Sequence, residues 1–120
     1  MKFDDTSYMT FRKIQLEEEK SPLLTKIEWN FYSNLSEFQK NPNNMTEKEI
    51  QNVEKIFVGI CEIREKKIVQ AALSKVRGGK PDLKNMLDME KKLFDFLKEN
   101  ALDGYFYLFF SIIFLSNYSF

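Results

Sequence analysis

Apolar residues recur at helical spacing through most of the chain, and four helices follow from where that spacing starts and stops. Tyr8, Phe11 and Ile14 begin the pattern, which predicts a helix from Asp5 or Thr6 into Glu17-Glu18-Glu19. Ser21-Pro22 ends it, because proline pushes the preceding residue out of the helical region. Leu24, Ile27, Phe31, Leu35 and Phe38 then draw an apolar stripe at intervals of three and four. Thr25 stands where an N-cap belongs, Glu28 completes a capping box, and Leu24 with Trp29 makes a hydrophobic staple, so the second helix is expected to begin at Thr25.

Asn41-Pro42-Asn43-Asn44 is a turn by composition. A second capping box, Thr46 with Glu49, and a staple pair, Met45 with Ile50, open a third helix predicted over about Glu47 to Val76 and roughly 45 Å long. Ile50, Val53, Phe57 and Ile60 form its first stripe, and Ile60, Arg64, Ile68, Ala72 and Val76 form a ridge at intervals of four. Arg77-Gly78-Gly79-Lys80-Pro81 stops it. Asn85, with Asp88 three residues on, is expected to cap a fourth helix through Leu87, Leu93, Phe94, Phe96 and Leu97 to about Asn100.

Short turns, four helices and no alternating strand pattern predict an all-α, four-helix bundle-like domain with one long central helix. Its core is expected to hold Leu24, Ile27, Phe31, Leu35, Ile50, Val53, Phe57 and Ile60. The helical domain is taken as residues 1–104, and an atypical apolar C-terminal tail as residues 105–120. That tail carries no charged residue and eight of the 18 aromatics. Its longest apolar run, residues 105–115 with Ser111 within it, is 11 residues, short of the about 20 a membrane span needs. A native strand pair or core helix would need a partner face. Its amino acids are all encoded by A- and T-rich codons, so out-of-frame or run-on translation is the reading favoured over both.

Composition narrows the chemistry. At 120 residues the chain fits one domain, and 18 basic residues balance 18 acidic ones, so no net field draws the molecule to nucleic acid or to an anionic membrane. Histidine is absent and Cys61 is the single cysteine, which leaves no imidazole for a nucleophilic triad and no Cys/His cluster for zinc. A lone thiol fits a reducing cytoplasm, with Cys61 read as a small packed residue. The N-terminus carries acids and no apolar h-region, so no signal peptide is expected. No cofactor, metal or catalytic residue is predicted.

Three charged groups invite a functional reading. Gly78-Gly79-Lys80 is not a Walker A loop, since Ser74 stands where glycine is needed and Pro81 where Ser or Thr is needed. It reads as a helix stop with an exposed basic turn, whose Lys75, Arg77, Lys80 and Lys84 offer at most a weak phosphate or acidic-partner contact. Glu17-Glu18-Glu19 point in different directions on a helix and read as a solvated acidic face, with one of them free to turn inward. Arg64 interrupts an apolar ridge. An unpaired buried charge costs several kcal/mol, so Arg64 is expected either to pair with a first-helix glutamate or to reach the surface along its stem.

Three short segments resemble a known family. Leu16-Glu17-Glu18-Glu19-Lys20-Ser21-Pro22-Leu23-Leu24 followed by Phe31-Tyr32 and Leu35, then Ile63-Arg64-Glu65-Lys66-Lys67-Ile68, then Asn85-Met86-Leu87-Asp88-Met89-Glu90-Lys91 leading into Leu93-Phe94, resemble archaeal GINS subunits that place their helical domain first. The resemblance spans Tyr8 to about Asn100. It implies a non-catalytic structural subunit of a homo- or hetero-tetramer that scaffolds the replicative MCM helicase with a RecJ-like protein in the cytoplasm. Members of this class continue into a small β-rich domain, which this chain is expected to lack. Arg64 and Lys67 from the second segment, with Arg77 and Lys80 from the basic turn, are the candidate binding residues. A small helical adaptor, or a membrane-associated protein anchored by the tail, is the alternative.

Overall fold

A computed structural model describes residues 5–40 and 45–100, apart from the side chains of residues 5–7, 35, 38 and 39. The tail, and with it the boundary expected at residue 104, lies outside the described residues. Four helices follow one another: α1 (Asp5–Lys20), α2 (Phe31–Lys40), α3 (Glu47–Val76) and α4 (Asp88–Asn100). No strand occurs among the described residues, and the fold is all-α with one long central helix, α3. The chain divides into two compact units, Met1–Arg64 and Glu65–Phe120, so the division falls inside α3.

In the first unit, α1 stops as expected. Ser21 N–H still donates to Glu17 C=O, and Ser21 Oγ then accepts Leu23 N–H in a turn that carries the chain across Pro22. The core is a three-ring cluster. Phe11 of α1 stands 4.5 Å from Phe57 of α3 between ring centroids, and Phe31 of α2 stands 5.0 Å from Phe57 and 6.4 Å from Phe11. All three are buried, together with Leu24, Val53, Ile56 and Ile60. Tilted and edge-on geometry lets the rings keep both their area burial and their quadrupole contacts. Of the expected core, Ile27 and Ile50 are only half-buried, and the side chain of Leu35 lies outside the described residues.

The start of α2 differs from expectation. Thr25 does not cap a helix; the helix begins six residues later, at Phe31. A capping Thr25 would use its hydroxyl to accept an amide in the next turn and its carbonyl to accept the first intrahelical bond. Both groups are committed elsewhere, to Glu18 and Arg64. Trp29, the expected staple residue, is 83% exposed. Asn30 does the capping residue's backbone work instead, its C=O accepting Asn34 N–H at 3.1 Å and the Ser33 hydroxyl at 2.9 Å.

Thr46 caps α3 where it is expected, through one half of a capping box. Thr46 Oγ1 accepts Glu49 N–H at 3.2 Å and donates to the Glu49 carboxylate at 3.0 Å.

In the second unit α3 ends in a Schellman turn. Gly78 N–H donates to Lys75 C=O and Gly79 N–H to Ser74 C=O, with Gly78 at φ +89°. A Cβ on Gly79 would come within 2.9 Å of the Ser74 carbonyl oxygen, so both glycines are required, for different reasons. The unit buries Ile68, Val69, Ala72 and Leu73 of α3, and Phe94 and Leu97 of α4. Asn85 is not the cap of α4. It takes the left-handed conformation at φ 68° in the preceding turn, which asparagine tolerates. Leu87 holds the capping position: its C=O accepts Lys91 N–H, and its N–H donates to the Glu90 carboxylate reaching back at 2.9 Å. This is half of a capping box, with the glutamate present and the hydroxyl residue missing.

Candidate functional site

The most organised polar constellation lies inside the first unit. Glu18 follows Phe11 by seven residues, nearly two helical turns, and so continues the inward face of α1, while Glu17 and Glu19 stay exposed. Glu18 and Arg64 are both fully buried, with Arg64 Nη1 donating to Glu18 Oε1 at 2.6 Å. The same nitrogen donates to Thr25 C=O at 2.8 Å. Thr25 in turn donates its N–H to Glu18 Oε2 at 3.1 Å and its hydroxyl to Glu18 Oε1 at 3.0 Å. One carboxylate therefore takes three donors, and every polar group of Thr25 is occupied. The arrangement ties α1, α3 and the 21–30 segment together. It is a structural latch, built on two side chains that are fully buried.

The predicted site residues separate accordingly. Arg64 belongs to this latch. Lys67 is half-buried, and Arg77 and Lys80 are exposed. Lys67 and Arg77 are ten residues apart on or just past α3, roughly 15 Å along the axis, so the structure does not gather them into one site. The Gly78 and Gly79 amides are already spent on Ser74 and Lys75 carbonyls. They form no anion-binding nest, and what the basic turn offers is side-chain charge alone.

A different feature stands out in the second unit. Met89 (56% exposed), Leu93 (38%) and Phe96 (55%) lie at intervals of four and three along α4 and share one face. Glu90, Phe94 and Leu97 make the adjacent, buried face. Helix α4 thus carries a buried face and, beside it, exposed apolar residues. The signal was present in the sequence, since apolar residues at 89, 93, 94, 96 and 97 are more than a single inward stripe needs. Only burial says which of them are left over.

Among the described residues no group of three His, Cys, Asp or Glu side chains converges as a metal site, and no helix is long and apolar enough to cross a membrane. Cys61 is half-buried. Known protein families, curated proteins and solved structures offer no match to this chain.

Proposed function

We propose that this chain is a non-catalytic protein-interaction subunit, and that the assembly it serves is GINS. The observation that carries the interaction reading is the exposure of Met89, Leu93 and Phe96 along α4, since neighbouring exposed apolar residues on a helix are what a partner covers. The GINS setting comes from the sequence resemblance. In this reading the subunit joins a homo- or hetero-tetramer in the cytoplasm, scaffolding an MCM helicase with a RecJ-like protein. Its basic turn, Arg77 and Lys80, makes at most weak or indirect contact with nucleic acid.

Co-expression with a second GINS subunit tests this. A stable complex on size-exclusion chromatography with light scattering, lost when Leu93 or Phe96 is changed to glutamate, is the expected result. Recovery of the chain alone in the presence of GINS subunits, or its sedimentation with membranes, would overturn it.

A further inference from the structure

Two starts compete for α2, and the occupied one is the poorer local choice. Its capping residue, Asn30, contributes only a carbonyl. Asn30 Oδ1 is buried and accepts no hydrogen bond among the described residues, although an amide of the next turn is what that oxygen is suited to cap. The first turn of α2 carries no acidic residue either, so no carboxylate there answers the positive end of the helix dipole. Earlier in the chain, Thr25 with Glu28 offers both halves of a capping box, an acid in the first turn, and Leu24 with Trp29 as a staple.

The backbone between the two starts is already turned toward a helix. Glu28 C=O accepts Phe31 N–H at 3.0 Å in a turn abutting α2, so winding the segment extends an existing helix and needs no new nucleus. Ile27, half-buried, then shares a helix face with the buried Phe31, four residues on. Residues 21–24 are left as the connection from α1, a length ordinary between packed helices. Thr25 can leave the latch without stranding a charge, because Arg64 and Glu18 still meet each other at 2.6 Å.

We propose that the 21–30 segment is a two-state switch. In the latched state Glu18 and Arg64 hold Thr25, and Trp29 stands 83% exposed. In the wound state Thr25 caps a helix from Lys26 to Lys40, its C=O accepts Trp29 N–H, and the indole folds back onto Leu24. The only tryptophan of the chain is offered in one state and withdrawn in the other. Both arms of the latch must release Thr25, since a carbonyl held by Arg64 is not free to accept the first intrahelical bond. The switch depends neither on the GINS setting nor on the exposed residues of α4.

Trp29 fluorescence and amide hydrogen exchange on the full chain test this, with circular dichroism and a cooperative melt confirming that each variant folds. Neither Trp29 nor Asn30 donates a backbone hydrogen bond among the described residues; in the wound state both do. The paired change Glu18→Leu with Arg64→Met frees both arms. It should slow exchange at the Trp29 and Asn30 amides about tenfold and shift Trp29 emission to shorter wavelength. Glu18→Leu alone should leave both readouts as in wild type, because Arg64 still holds the Thr25 carbonyl. Thr25→Ala added to the paired variant removes the cap and should return both readouts toward wild type. In wild type, carbon relaxation dispersion at residues 26–30 should reveal a minor state with helical shifts. A folded paired variant with unchanged exchange and emission overturns the proposal. Should the paired variant fail to fold, the wild-type dispersion decides: a helical minor state supports the switch, and its absence removes it.

Discussion

Arg64 and Glu18, 46 residues apart in sequence, meet at 2.6 Å with both side chains fully buried. A buried pair of this kind is weak evidence for net stability, since desolvating both charges offsets much of their attraction. Its more definite consequence is local: it holds Thr25 by three of its groups and keeps the 21–30 segment out of a helix. Preference for the latch over an exposed cap is understandable in magnitude. Hydrogen bonds to charged groups contribute about 1.5–3 kcal/mol each, whereas an N-cap is worth about 1 kcal/mol.

Removing one side of the latch should therefore be costly. Glu18→Ala or Arg64→Ala alone is expected to destabilise by about 3–5 kcal/mol, because each strands a buried charge. The paired change Glu18→Leu with Arg64→Met should cost much less than the sum. Chemical denaturation of wild type, Glu18→Leu, Arg64→Met and the pair gives the coupling directly. Hydrogen exchange at the Thr25 amide should accelerate even in the paired variant, since the oxygen it donates to has gone.

Truncating Phe57 to alanine should cost about 3–5 kcal/mol, and Phe31→Ala nearly as much, because each opens the three-ring cluster. Trp29→Ala is the contrast. With 83% of that residue exposed, its loss should change stability by no more than about 0.5 kcal/mol. A large effect at Trp29 in thermal melts would restore the staple that the sequence pattern suggested.

The two threonines at apparent capping boxes should respond differently. Thr46→Ala is expected to cost about 1 kcal/mol, the usual loss of an exposed cap, and to be largely rescued by serine. Thr25→Ala removes a hydroxyl donor from a buried carboxylate, and about 1–3 kcal/mol is expected. Serine should rescue this too, but its benefit should vanish in the Glu18→Leu background. Urea denaturation of wild type and the six variants checks the pattern.

At the end of α3, Gly78→Ala should cost about 1 kcal/mol for its left-handed backbone. Gly79→Ala should cost more, since its Cβ would press on a backbone carbonyl that cannot rotate away. Loss of the Schellman bonds would appear as faster amide exchange at positions 78 and 79.

Deleting residues 105–120 removes a charge-free segment carrying eight aromatics. Solubility should rise, and association is expected to persist, because the exposed apolar residues of α4 lie before residue 101. Light scattering on full-length and truncated chains, with and without a GINS partner, tests this. If only the full-length chain associates, the tail itself makes the contact.

Local chemistry in the sequence determined the all-α class, the limits of α1 and α3, the Thr46 cap and the glycine stop, because each depends on residues within a turn or two of one another. It also left Arg64 two resolutions, an acceptor on the first helix or the surface, since a charge on an apolar ridge has few others. Which glutamate answers it was half legible: Glu18 continues the face begun by Phe11, but pairing across 46 residues is a tertiary event. Only the tertiary structure decided that Thr25 serves that pair rather than a helix, that Glu90 reaches back to Leu87 while Asn85 makes the turn, and that Met89, Leu93 and Phe96 are exposed. The physical reason is common to all of them. Side chains such as Thr25, Asn85 and Leu93 have two local uses of nearly equal free energy, and a long-range contact of one or two kcal/mol is enough to choose between them.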